Sequence, residues 1–184
     1  MKKKTAVLLT LLAVVPMIGA EIPPFDQPVL ITSAGQSAEV QIVSVLAKRA
    51  GIEAVLDKLA TAESLKNRKP ATIMLVLGVS MKGMGAAGLD LKEEKTRIAA
   101  LLLEAERQTI PILCLHLGGE ARRGDMSDAM IKEYIPYAAA AMVVQSGNSD
   151  SLFSTLCDEQ TIPLIEVDRA ANALAPLKKL FNIE

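Results

Sequence analysis

Along the chain, short runs that are apolar at successive positions alternate with longer segments in which apolar residues recur every three or four places. The runs at residues 29–32, 52–56, 72–79, 112–117, 141–145 and 164–167 are rich in Val, Ile and Leu, as strands covered on both faces should be. Between them, residues 37–50 place Ile42, Val43, Leu46, Ala47 and Ala50 on one helical stripe that stops at Gly51. Residues 91–108 follow Asp90, which pairs with Glu93 as a capping box, and turn Ile98, Leu101, Leu102 and Ala105 inward. Further helices are predicted at 126–134, 149–159 and 173–181. This alternation predicts repeated β-α units, and the expected fold is α/β: a single doubly wound, mostly parallel sheet with helices on both faces, flavodoxin-like in outline.

The first twenty residues break the pattern. Lys2, Lys3 and Lys4 precede a nearly unbroken apolar run from Ala6 to Met17, and Gly19-Ala20 offers small residues for cleavage. The expectation is a signal peptide over residues 1–20, an extended lead-in over 21–27 and one domain over 28–184. Export follows, to the periplasm or the medium. An uncleaved anchor is the competing reading, disfavoured because Pro23-Pro24 ends any helix.

Composition narrows the function classes. At 51% hydrophobic and 22% charged the chain is too apolar for disorder. Removing the three signal lysines from the 20 basic residues leaves 17 against 21 acids, a balance of −4 that carries no nucleic-acid footprint. With no Trp, two Tyr and three Phe, aromatic stacking on bases or sugars is nearly absent as a mode of recognition. One His and two dispersed Cys give no metal-ligand spacing, so no metal and no cofactor is expected. Cys114 and Cys157 read as core residues, although export would permit a disulfide between them.

In an open parallel sheet, ligands bind beyond the carboxyl ends of the strands, where loops meet helix N-termini. The first strand leads into Ser33, Gly35, Gln36 and Ser37, a candidate cradle for a polar group. The third runs into a glycine-rich stretch with Lys82, Gly83 and Gly85, which lacks the spacing of a P-loop or a dinucleotide fingerprint. The fourth leads into His116, Gly119, Glu120, Arg122 and Arg123, where a guanidinium can grip a carboxylate or phosphate through two parallel hydrogen bonds. The fifth ends near Asn148. Each has an ordinary structural alternative: Ser37 or Asn148 as a helix cap, Lys82 as a solvated surface cation, His116 as a core histidine, Glu120 as the partner of an arginine.

The segments Leu30-Ile31-Thr32-Ser33-Ala34-Gly35-Gln36-Ser37, Lys82-Gly83-Met84-Gly85, His116-Leu117-Gly118-Gly119-Glu120-Ala121-Arg122-Arg123 and Ser146-Gly147-Asn148 together resemble a family of exported bacterial proteins described as a domain of unknown function. The resemblance spans nearly the whole of the chain after the signal and implies a secreted α/β domain with a strand-end site. It carries no activity, cofactor or catalytic residue. The expected function is an extracytoplasmic binding domain for a small anionic solute, with a membrane transport or sensor protein as a candidate partner. Two alternatives stay open: a secreted hydrolase using Ser33 or Ser37 with His116 as base, and an accessory domain that docks on a membrane protein through an apolar patch.

Overall fold

A computed structural model of the protein describes residue 22 and residues 24–184; the expected signal peptide lies outside the described residues. Six strands, β1 (Val29–Ala34), β2 (Ala54–Leu56), β3 (Thr72–Leu77), β4 (Ile112–His116), β5 (Ala140–Val144) and β6 (Leu164–Val167), form one sheet in the order β2-β1-β3-β4-β5-β6. Every neighbouring pair is parallel. The four central strands are buried on both faces, whereas β2 and β6 are edge strands and only partly covered.

Among the described residues, seven α-helices connect and cover the sheet: α1 (Glu39–Ala50), α2 (Ala62–Arg68), α3 (Met81–Ala86), α4 (Leu91–Arg107), α5 (Asp125–Tyr134), α6 (Leu152–Gln160) and α7 (Leu174–Leu180). Strand alternation divides the core in two. Val29 and Ile31 of β1, Met74 and Val76 of β3, and Leu113 and Leu115 of β4 face α1 and α7, while Leu30, Leu75, Leu77 and Cys114 face α4, α5 and α6. The fold is thus a doubly wound, flavodoxin-like α/β sandwich.

Local chemistry explains the element ends. Gly51 caps α1 with φ 82°, and Asp90 and Glu93 close the expected capping box on α4. The expected stripe of α1 is rotated: Val40 is buried in place of Ile42, which is 44% exposed. The glycine-rich stretch after β3, expected as a long loop, folds as α3, because Ser80 accepts the Gly83 amide at 3.0 Å and starts a helix. In the lead-in, Phe25 is buried against Phe181, with ring centroids 5.9 Å apart, and donates its amide to the Leu180 carbonyl at 3.0 Å. Cys114 and Cys157 are both free and buried.

Candidate functional site

The chain leaves β1 for α1 on one face of the sheet and leaves β3 for α4 on the other, so the strand ends part between β1 and β3, where open sheets hold ligands. Here the protein fills that crevice with its own backbone. Gln36 and Val79 form an antiparallel bridge, and the Ser80 amide donates to the Gly35 carbonyl at 2.7 Å. Gly35 is required for this closure: its φ is 100°, and a Cβ there would lie 2.5 Å from the Gly78 carbonyl oxygen. Behind it, the buried Glu94 carboxylate accepts from the Gly35 amide at 2.8 Å, from Gln36 Nε2 at 3.0 Å and from the Arg97 guanidinium at 2.8 and 2.9 Å. Arg97 also donates to the Ser33 and Ala60 carbonyls, both at 2.6 Å. Gln36, expected to contact a ligand, is committed to this network. Gly83 packs α3 directly against the Gln36 carbonyl, while Lys82 and Gly85 are exposed.

The β4 and β5 ends use most of their reactive groups internally. His116 is 0% exposed; its Nδ1 faces the Leu77 carbonyl at 2.9 Å and its Nε2 the Gly119 carbonyl at 3.2 Å. Both nitrogens therefore point at acceptors, and none of its hydrogen bonds involves a hydroxyl, so the geometry of a serine with a histidine base is not formed. The ring lies 5.4 Å from that of Phe153, which places it on the α6 side of the sheet. Arg123, one of the two arginines expected to offer an anion clamp, is instead a strut: Nε and one terminal nitrogen bind Asp128 at 2.6 and 3.1 Å, both terminal nitrogens bind Asp150 at 3.0 and 2.8 Å, and one also donates to the Gly147 carbonyl. Its guanidinium stacks 5.9 Å above the Phe153 ring. Asn148 is a cap, accepting the Phe153 amide at 2.8 Å and donating to Ser154 at 2.8 Å and Glu166 at 2.7 Å. Gly119 sits where a Cβ would strike Ser146 Oγ, and Glu120 is exposed.

On the opposite side of the sheet, α1 brings in a residue that was not expected. Glu39, the first residue of α1, is only 1% exposed and aims its carboxylate at the end of β4. Its Oε1 accepts the Leu117 amide, and Oε2 has no hydrogen-bond partner. Burial pushes the Glu39 carboxyl above its ordinary value near 4.5; the charge of His116, the Leu117 and Gly118 amides and the charge of Arg122 act against that shift. On the same face, where Val29 and Ile31 precede it in alternation, the buried Ser33 Oγ is also without a partner. Ser37 Oγ accepts the Glu39 amide at 3.3 Å. Gly118 is the meeting point: a Cβ there would lie 2.6 Å from Glu39 Oε2 and 2.2 Å from Arg122 Cγ. Arg122 itself is exposed, and among the described residues it forms no ion pair.

The residues proposed from sequence thus do not converge on one crevice. Ser37 and Arg122 lie with Glu39 on the α1 side of the β4 end, Ser33 lies on the same face two strands away on β1, His116, Arg123 and Asn148 belong to the α6 side, and Gln36 closes the gap between β1 and β3. Glu39 was illegible because a glutamate in the first turn of an amphipathic helix ordinarily faces water; only its contact with Leu117, 78 positions away, sets it apart. Recesses lie elsewhere on the described surface. One of about 830 Å³ is lined by Ile22, Pro24, Ile165, Pro176 and Leu180, and one of about 350 Å³ by Ile42, Val45, Leu46, Arg49 and Ala171. No group of acidic, histidine or cysteine side chains among the described residues is arranged to hold a metal ion.

Residues 26–181 match the family model described as Domain of unknown function (DUF6305). No curated protein matches the chain. A flavodoxin variant from Pseudomonas aeruginosa is similar at 15% identity, over 84% of this chain and 98% of the other, with a TM-score of 0.43. A GDSL-like lipase from Bacteroides thetaiotaomicron is similar at 14% identity over 75% and 66% of the two chains (TM-score 0.35), and AlinE4, an SGNH-hydrolase family esterase, at 16% over 85% and 82% (TM-score 0.29).

Proposed function

We propose that this chain, which belongs to the DUF6305 family, is an extracytoplasmic domain that binds a small solute bearing a carboxylate or phosphate at the carboxyl end of β4. The observation that carries the reading is Arg122: a guanidinium without an ion pair, on a turn flanked by Gly118, Gly119 and Gly124, beside strand-end amides. A free guanidinium offers the paired donors that a planar acid group needs, whereas Arg123 has none to spare. Lys82, exposed in α3 beyond the end of β3, is a further cation at the carboxyl edge of the sheet. The lysine-led apolar segment at the N-terminus supports an extracytoplasmic location.

Calorimetric titration of the full chain with a panel of small carboxylates and phosphates tests this. A binder should appear, and Arg122→Ala should weaken it by about tenfold or more, as expected for loss of a charge-assisted pair. A panel in which nothing binds, or in which Arg122→Ala changes nothing, contradicts the reading.

A second reading, docking on a partner protein, rests on the exposed face of α1, where Ile42 and Val45 are 44% and 56% exposed beside the smaller recess. If that face is the working surface, Val45→Glu abolishes the association while solute binding by Arg122 is untouched.

A further inference from the structure

The acid-binding reading leaves one feature of the same site unexplained. The strand-end amide of Leu117, placed to receive a ligand's anion, already holds the chain's own carboxylate, Glu39. A second negative charge brought to this spot meets that carboxylate across little more than one Cα. A purely anionic solute is therefore held by Arg122 and opposed by Glu39, so it binds more weakly than one that also satisfies Glu39.

Glu39 also has an oxygen to fill. Oε2 is buried and has no partner, and Ser33 Oγ on the same face has none either. Buried polar atoms are nearly always satisfied, because leaving one bare costs about 1–3 kcal/mol. A ligand group that satisfies the oxygen of an ionised carboxylate is a hydrogen-bond donor, and a cationic donor, which also favours that ionised form, does so better than a neutral one.

From this juxtaposition of the unpartnered Glu39 Oε2 and the unpaired Arg122 across Gly118, we propose that the solute is zwitterionic, an amino-carboxylate of the α-amino acid type. Its ammonium goes to Glu39 Oε2, and its carboxylate goes to the Arg122 guanidinium. The inference rests on the acid-binding reading and adds its second half. It accounts for both groups at once, since a neutral zwitterion presents each with an opposite charge and brings no net charge into the site. Arg122 lies on a turn with glycines at Gly118, Gly119 and Gly124, so its stem can lift from Gly118 to admit the ammonium beneath it.

The test is calorimetry on the full chain with matched probes: free amino acids (glycine, alanine, glutamate, arginine), the N-acetyl form and the deaminated acid of each, and inorganic phosphate. At least one free amino acid should bind, with its N-acetyl and deaminated counterparts weaker by about tenfold or more. Glu39→Gln should remove that difference by weakening only the free amino acid. The wild-type comparison of free with blocked amine decides the matter even if Glu39→Gln does not fold. If the deaminated acid or phosphate binds as tightly as every amino acid, the zwitterion inference fails and acid binding stands. Should no probe bind, or should the only binders be indifferent to Arg122→Ala, both fail together.

Discussion

Glu39 Oε1 accepts the hydrogen of the Leu117 amide, a contact between residues 78 positions apart that sets the N-terminus of α1 on the end of β4. A carboxylate this deeply buried, with one oxygen bare, is costly to keep ionised, and its carboxyl is raised above the ordinary value near 4.5. A carboxyl held at such a cost at a strand end is a candidate functional position.

Stability should report that cost. A carboxyl with a raised folded-state pKa favours folding below its unfolded value, and this contribution is lost as pH rises through the folded one. Glu39→Gln, which keeps an acceptor for Leu117 and cannot ionise, should therefore raise the thermal midpoint at pH 7 by the equivalent of about 1 kcal/mol. The gain should shrink to nothing as the pH falls below about 4, near the ordinary carboxyl value. Thermal unfolding of both proteins from pH 3.5 to 8 checks the crossing; a midpoint lowered by the substitution at pH 7 would contradict it.

The seal between β1 and β3 should be a matter of stability rather than binding. Glu94 is fully buried, and Arg97 is its only ion-pair partner among the described residues. Arg97→Ala leaves that carboxylate uncompensated and should cost about 3–5 kcal/mol, because removing one partner of a buried pair strands the other. Urea unfolding measures this directly, and a loss below about 1 kcal/mol would show the network to be relaxed by water.

Adjacent arginines should behave differently. Arg123→Ala frees Asp128 and Asp150 and should destabilise the fold by about 2 kcal/mol without altering solute affinity, while Arg122→Ala should do the reverse. Acid titration gives a second check. Bonds from Arg123 pull the Asp150 carboxyl down to about 2, and its support is present above the ordinary 3.8 and lost as pH falls through that lowered value. The gap in midpoint between wild type and Arg123→Ala should close between pH 4 and pH 2. Equal losses of affinity in both variants would contradict the division of labour.

Two glycines expected to lie in the site should separate on substitution. Gly35→Ala forces a side chain into φ 100° and against the Gly78 carbonyl, so it should cost about 2 kcal/mol or more. Gly85, inside α3 with open space around it, should tolerate Ala and gain about 0.5–1 kcal/mol of helix stability. Paired denaturation curves settle both; a neutral Gly35→Ala would mean that the β1 end is not held as described.

How far the sequence was legible depended on whether the deciding contact was local. The six strands and the capping box of Asp90 and Glu93 were readable because hydrophobic runs and caps are properties of adjacent residues. α2 and α3 were missed because each is short, and α3 carries two of the helix-disfavouring glycines; Ser80 and Thr61, their caps, supply what composition withholds. In the site, the polar strand ends were visible, but how they are spent was not. Arg122 and Arg123 are neighbours in sequence, yet it is Asp128 five residues on and the distant Asp150 and Phe153 that reveal which one is bound.

The central claim, that a small solute is held between Arg122 and Glu39 at the end of β4, is tested most directly by amide chemical shifts of the ¹⁵N-labelled protein during titration with free amino acids. The expected result is saturable movement of Leu117, Gly118 and Gly119, with Gly35 and Gln36 unmoved behind their seal. Saturable shifts confined to α7 and Ile165, or to the exposed face of α1, would place the working surface elsewhere and contradict the account.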